Sequence, residues 1–265
     1  MFLVYRFNTF VILSMPWNPE TYNKFKEERY QPFYDLISHI HHKPGMKIID
    51  LGCGTGELTK ILAVKFKEST VLGIDTSAEM LSKAPQQKNL TFLQSSIEKE
   101  VEKGDKWDLI VANASLQWVE NHHQLFPGIF AKLSENGQVA IQMPSQKENK
   151  LNQILHELAH EAPFYSFLQD TRDSPLLSLD EYTALFFSHG ANEVIIYQKV
   201  YPLIVKSTDS LYEFISGTAL IPYMEKLSDD LKSKFRSEFK NRIDKSFTSS
   251  PIVYAFKRII LFGQF

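Results

Sequence analysis

The sequence predicts an α/β protein built on a doubly wound, mostly parallel sheet with a helical cap. Three observations lead there. Short β-branched runs alternate with helical patterns between residues 47 and 143. A glycine-rich turn joins the first of those strands to a helix. Beyond residue 145 the rhythm stops, and charged amphipathic helices are followed by long runs of β-branched and aromatic residues.

The elements follow in order. Residues 20–40 place Tyr22, Phe25, Phe33, Leu36, Ile37 and Ile40 at helical three- and four-residue steps, and Pro44-Gly45 ends the segment in a turn. Lys47–Leu51 is a strand running into Gly52-Cys53-Gly54-Thr55-Gly56, and 57–66 is a helix. Thr70–Asp75 is a second strand ending in an acid, followed by a short helix over 77–84 capped by Thr76 or Ser77. Leu90–Gln94 is a third strand and Trp107–Asn113 a fourth, apolar enough to be buried on both faces. The pattern predicts a helix over 122–133 closed by Asn136-Gly137, then a strand over 138–143. Helices are expected over 147–162 and 178–188, a strand over 193–205, mainly helix over 207–247 and a last strand over 252–262.

The chain of 265 residues fits one composite domain. It divides into an N-terminal extension (1–14), a ligand-binding core with its N-terminal helix (15–145), and a helical substrate cap with the late strands (146–265). Met1–Ser14 is apolar but broken by Arg6 and Asn8, is shorter than a bilayer span and lacks a signal-peptide pattern. Met15 is read as the natural start, with a membrane-touching or partner-docking arm as the alternative. Hydrophobic residues make up 43% and charged residues 23%, against a disordered chain, and a net charge of −2 gives no broad basic face for nucleic acid. One cysteine, Cys53, rules out an internal disulfide framework and a cysteine-rich zinc site, and fits a cytoplasmic location. Oligomeric state is open, with a monomer favoured.

The informative stretch is Asp50–Gly56, D-L-G-C-G-T-G. Alternate glycines between strand and helix let the backbone approach a ligand closely. A dinucleotide fold is the rival, but its G-x-G-x-x-G spacing is not met, because the third glycine follows after one residue. Asp50 would also repel a pyrophosphate at the helix N-terminus and suits a ligand carrying positive charge. Asp75 at the end of the second strand can accept both hydroxyls of a ribose, with helix capping as its plain structural role. Met80 and Ile97 are candidates to flank an adenine ring, Ser96 to meet its edge, and either apolar residue alone is equally a core residue. Asn113-Ala114-Ser115-Leu116-Gln117-Trp118 follows the fourth strand, so four strand ends converge on one crevice.

These residues resemble a family. Asp50–Gly56 with Asp75 closing the next strand is similar to the Rossmann-like class I S-adenosyl-L-methionine-dependent methyltransferases over residues 45–145. WNPETYNKFKEERYQP (17–32), NASLQW (113–118), LFP (125–127) and QMP (142–144), with weaker likeness in 217–227 and 255–258, narrow the resemblance to the trans-aconitate 2-methyltransferase family. The resemblance implies a seven-stranded sheet with its last strand antiparallel, and a helical cap over the methyl donor. It implies S-adenosyl-L-methionine as donor, S-adenosyl-L-homocysteine as product, and a small carboxylic acid as acceptor. It places Gly52, Gly54 and Gly56 in the donor loop, Asp75 on the ribose and Asn113 and Ala114 beside the donor. Asp50, Thr76, Met80, Ser96, Ile97 and Trp118 are further donor-site candidates from their positions at the strand ends. It sets Arg29 against a carboxylate of donor or acceptor. Two positions depart from the family pattern. Ser96 stands where Asp is common, which removes a side-chain acceptor for the adenine amino group, and Ile221 stands where Arg is frequent, which removes a cation from the acceptor side.

The chemistry asks little of the protein. A carboxylate with a reference pKa of about 4 is already an anion at neutral pH, so no general base and no catalytic triad is expected. Orientation carries the reaction, and no single side chain is assigned as catalytic. Candidate acceptor holders are Tyr22, Arg29, Trp118, His122, Tyr223 and Arg258, with Arg29 first because a guanidinium fork matches a carboxylate. His122 and His123 are adjacent on a helix with no third ligand nearby, so no metal is expected. The alternatives are a malonyl-acyl-carrier-protein O-methyltransferase, a donor-binding protein without activity and a NAD-dependent oxidoreductase.

Overall fold

Helix α1 (Lys26–Ser38) buries Phe33, Leu36 and Ile37 on one face, at the spacing the sequence predicts. The computed structural model describes residues 25–169 and 174–265; the readings placed on Met1–Ser14, Met15 and Tyr22 lie outside the described residues. The outer flank of α1 is fixed by Asp35, whose carboxylate accepts from Lys199 Nζ and Tyr201 Oη, each at 2.6 Å. That anchorage holds the carboxyl of Asp35 below its usual range: the Lys199 and Tyr201 bonds outweigh the largest single influence, burial, which raises it.

The strands are β1 (Lys47–Leu51), β2 (Thr70–Asp75), β3 (Leu90–Gln94), β4 (Trp107–Asn113), β5 (Leu133–Pro144), β6 (Glu193–Val205) and β7 (Ile252–Gln264). They form one sheet in the order β3-β2-β1-β4-β5-β7-β6. The first five are parallel neighbours, and β7 runs antiparallel between β5 and β6. β1 is buried at every position after Lys47, and β4 at all but its polar Asp108 and Asn113. Helices cover both faces, which is why these strands read as unbroken apolar runs.

Helices α2 (Glu57–Lys65), α3 (Ala78–Leu81), α4 (Ile97–Glu102) and α5 (His122–Phe130) alternate with the parallel strands. One apolar layer joins Phe33, Leu36, Leu62 and Phe66 to Ile48, Val111 and Phe262 on the α1–α2 face. The other joins Leu116, Phe126 and Ile129 to Ile49, Ile110, Ile141 and Tyr182. A third cluster lies under the cap helices α6 (Lys150–Ala159), α7 (Tyr165–Leu168), α9 (Thr208–Ser216), α10 (Ile221–Lys226) and α11 (Asp229–Ser246). There β6 and β7 continue past β5 as a two-stranded ribbon, and Leu203, Val205, Tyr254 and Phe256 face that cluster. Helix α8 (Leu179–Ser188) packs on the sheet instead, started by a capping box between Ser178 and Glu181.

Two local expectations are corrected. The helix predicted over 122–133 ends at Phe130, and Asn136-Gly137 does not close it. It lies inside β5, where the pairing jumps from Trp107↔Leu133 to Leu109↔Gln138. The additional residues loop out as a bulge, with Asn136 at φ 58°. The second correction is α4, which the sequence reading missed. Six residues, IEKEVE, are too few for a helical period to show.

Candidate active site

The strand order reverses between β1 and β4, and a doubly wound sheet leaves a crevice outside the strand ends at that switch. The glycine loop fills its floor. Gly52, Gly54 and Gly56 all have positive φ, at 76°, 57° and 72°. At Gly52 a Cβ would stand 2.4 Å from Ser115 Cβ, and at Gly56 2.4 Å from the Phe92 ring. At Gly54 the space is open, with Met80 Sδ nearest at 3.6 Å. Packing and conformation therefore demand the outer glycines, whereas the middle one presents bare backbone beneath Met80.

The loop's amides are largely spent inside the protein. Gly52 and Cys53 both donate to Ile74 O, Gly56 donates to Cys53 O, and Gly54 donates to Asp75 Oδ2 at 2.9 Å. Asp75 Oδ1 accepts from the Ser77 amide at 2.8 Å. A pyrophosphate cradle needs such amides pointing outward. Here they hold an acidic side chain in place, and each of its oxygens keeps a further lone pair for a hydroxyl donor. This arrangement suits hydroxyl donors at Asp75 better than a pyrophosphate at the loop.

Asp50 sits beneath this loop. It is 3% exposed and accepts from Thr59 Oγ1 of α2 at 2.6 Å. Burial pushes its carboxyl up to about 6, offset in part by the Thr59 bond and reinforced by the charge of Asp75. The same surroundings, burial first and then Asp50 and Asp75, push the Cys53 thiol up, which makes it a poor nucleophile. A positive charge in the crevice would relieve this crowding of acids. Asp50 thus lies below the loop, not at its rim.

At the end of β4, Ala114 adopts φ 54°, a strained conformation for a side-chain-bearing residue that costs about 1 kcal/mol. It is held there by Ala114 N donating to Gln142 O and by Gln117 Nε2 donating to Ala114 O. Ser115 Oγ donates to Leu51 O at 2.5 Å and so clips the β4 end onto the glycine loop. Asn113 Oδ1, Gln117 Oε1 and Gln142 Nε2 are buried polar atoms without a hydrogen-bond partner among the described residues. Unsatisfied groups concentrated at one set of strand ends mark a place prepared for a polar ligand. The first turn of α1 roofs the same end: Tyr30 Oη donates to Glu57, the residue that follows the loop. Arg29 is 8% exposed, donates to Phe214 O at 2.8 Å and lies 4.8 Å over the Phe214 ring.

A family model described as a methyltransferase domain matches residues 42–201. The trans-aconitate 2-methyltransferase of Deinococcus radiodurans is 35% identical over 253 residues, covering 93% of this chain and 97% of its own length. The chain belongs to the trans-aconitate 2-methyltransferase family. Among solved structures, a Bacillus protein, YcgJ, superposes with a TM-score of 0.58 at 14% identity, covering 89% of this chain and 98% of its own. The phosphoethanolamine N-methyltransferase 2 of Haemonchus contortus, solved with S-adenosyl-L-methionine, gives 0.54 at 17% identity; it is covered over 52% of its length, against 88% of this chain. At such identities these two show the shared Rossmann-like fold.

This methyltransferase uses S-adenosyl-L-methionine, and its crevice brings together most of the residues singled out from sequence. Gly52, Gly54, Gly56, Asp75, Met80, Asn113 and Ala114 share the strand-end crevice, with Asp50 beneath it. Trp118, 43% exposed, closes a short 3₁₀ turn (Leu116–Trp118) beyond β4. Thr76 is exposed, and Ser77, not Thr76, caps α3 by accepting from Met80 N.

The structure gives four of the sequence candidates structural partners of their own. Ser96 is the N-cap of α4, its hydroxyl accepting from Lys99 N at 3.3 Å. Ile97 is 8% exposed and packs into the sheet layer with Ile74 and Ile110. His122 is 1% exposed, with Nδ1 at 2.6 Å from Tyr182 Oη and Nε2 at 3.0 Å from Leu116 O, so both ring nitrogens have protein partners. Tyr223 is on α10 in the cap, its ring stacked on Phe235 at 5.6 Å. The sequence reading did not single out Thr59 or Gln142 and quoted Ser115 and Gln117 only within NASLQW. That six-residue string was the signal for Ser115 and Gln117, and QMP (142–144) was the signal for Gln142.

Proposed function

We propose that this methyltransferase esterifies a carboxylate of a small organic acid, with trans-aconitate as acceptor. The observation that carries the reading is a buried arginine, Arg29, held over Phe214 on the α1 turn that meets the glycine loop. A buried guanidinium at the mouth of a donor crevice suits an anionic acceptor. The names of the relatives agree with it.

In this reading Asp75 accepts the ribose hydroxyls, the loop from Gly52 to Gly56 lies against the donor, and Met80 covers its flat face. Asn113 Oδ1 and the Ala114 carbonyl region face the donor's amino-acid part. Asp50 and Asp75 supply the negative field that favours a cation over S-adenosyl-L-homocysteine. The bound donor supplies a methyl group activated by a sulfonium charge. An acceptor oxygen forms the new O–CH₃ bond as the CH₃–S bond breaks, and the sulfur keeps that electron pair. One negative and one positive charge are consumed, no proton moves and no base is needed. The protein aligns oxygen, carbon and sulfur, for which orientation contributes up to roughly 7–11 kcal/mol. Because charge disappears, exclusion of water by α1 and the cap favours the product side.

A labelled-methyl transfer screen over small mono-, di- and tricarboxylic acids, with malonyl-acyl-carrier protein as a further acceptor, tests the proposal. It expects trans-aconitate to be labelled in preference to the others. Labelling of the carrier-linked malonate alone would replace the small acid as acceptor.

A further inference from the structure

A second guanidinium lies across the aromatic pair that Arg29 touches. Arg258 of β7 is 6% exposed and sits 4.4 Å over the Phe256 ring, and Phe256 meets Phe214 edge-on at 5.0 Å. The register places Arg258 opposite Pro144, where β5 leaves the sheet. Its Nη1 donates to Gln142 Oε1 at 3.2 Å. Gln142 is 1% exposed, and its Nε2 has no hydrogen-bond partner among the described residues. Gln142 also pairs with Asn113, the residue closing β4 at the donor crevice. Asn113, Gln142, Arg258 and Phe256 share the α1 face of the sheet: Val111, Ala140, Ile260 and Phe262, two or four residues along the same strands, line the layer under α1.

The chemistry of this pair is specific. Burying an amide N–H without an acceptor costs about 1–3 kcal/mol, so the orphaned Gln142 amide calls for an acceptor, and the positive field of the neighbouring guanidinium favours an anionic one. The Gln142 amide and the Arg258 guanidinium present donors alone once Oε1 is bound to Nη1. A carboxylate is the planar acceptor-only group that answers both. Arg29 on the other side of the Phe214–Phe256 pair suits a different carboxylate.

We infer that Gln142 and Arg258 seat a carboxylate of the acceptor other than the one being esterified, so that the enzyme selects acids with at least two carboxylates. Gln142 is then a specificity-determining residue. The inference rests on the carboxylate-acceptor reading above.

The test uses full-length enzyme and the Gln142→Glu variant. The substituted carboxylate fits the same volume, pairs with Arg258 and repels the acceptor. The expected result is S-adenosyl-L-homocysteine affinity within about threefold of wild type, a rise of about 100-fold or more in KM for trans-aconitate, and kcat within about threefold. Trans-aconitate should also lose its thermal protection of the S-adenosyl-L-homocysteine-bound variant. Gln142→Met, neutral and close in size, should raise the same KM by about tenfold and serves if the charged variant fails to fold. Wild type should prefer trans-aconitate over a monocarboxylate of similar size, and Gln142→Glu should remove that preference. An unchanged KM in both variants, or equal use of mono- and polycarboxylates by wild type, overturns the inference while the methyl-ester reading stands. If wild type binds the donor and esterifies no acid, the acceptor reading fails and this inference falls with it.

Discussion

Asp50 offers the sharpest physical prediction. Its carboxyl is pushed up to about 6 by burial beneath the glycine loop, against 3.8 for the free group. Between those values the folded protein holds a proton that the unfolded chain has already released. Stability therefore falls as pH rises through about 4 to 6 and the effect is complete above that window. The shift of about two units corresponds to about 3 kcal/mol lost by the folded enzyme near neutral pH. Asp50→Asn keeps an acceptor for Thr59 Oγ1 and removes the charge. The stability difference between D50N and wild type, from denaturant unfolding without ligand, should grow by about 3 kcal/mol in favour of D50N between about pH 4 and pH 6.5. The donor's positive charge should draw Asp50 back to its ionised form. Donor binding near pH 5 should then release a proton, visible as buffer-dependent heat in calorimetry, and D50N should bind S-adenosyl-L-methionine more weakly. A stability difference that does not change with pH, or proton uptake on donor binding, would refute the reasoning.

The remaining predictions are brief. Gly52→Ala forces a Cβ to 2.4 Å from Ser115 and should abolish S-adenosyl-L-homocysteine binding, whereas Gly54→Ala meets nothing closer than 3.6 Å and should fold at a cost of about 1–2 kcal/mol from its positive φ; thermal unfolding and calorimetry separate the two. His122→Ala should lower stability by about 2–4 kcal/mol by opening a cavity beside Tyr182 and Phe126, yet leave the acceptor KM within about twofold, because the ring is enclosed. A large KM effect in a folded His122 variant would return that residue to the site. Asp35→Asn weakens the tie between α1 and β6, so it should raise acceptor KM and accelerate amide exchange in α1 without altering the glycine loop.

The sheet was legible because its strands carry their own signals. Lys47–Leu51, Thr70–Asp75, Leu90–Gln94, Trp107–Asn113 and Glu193–Val205 occupy the spans that β-branched periodicity and flanking polar residues indicate. The glycine loop and Asp75 were legible because backbone conformation and a strand-end acid are local properties. What could not be read is set by register. Gln142 and Arg258 are separated by 116 positions and meet only because β7 inserts antiparallel beside β5. His122 looked like a polar group available to a ligand because its partners, Tyr182 and Leu116 O, come from a helix and a turn that pack on it only in three dimensions. The cap role of Ser96 and the burial of Ile97 were not legible because a six-residue helix leaves no pattern. Asn136-Gly137 signalled a chain reversal, and the chain used it for a bulge.

The most direct measurement is the identity of the bond made. Enzyme, S-adenosyl-L-methionine carrying a labelled methyl group and trans-aconitate should give a singly methylated product whose label mild base releases as methanol, returning the original acid. Intact donor binding with label on no acid, or label that base does not release, would contradict methyl-ester formation in the crevice above Gly52, Gly54 and Gly56.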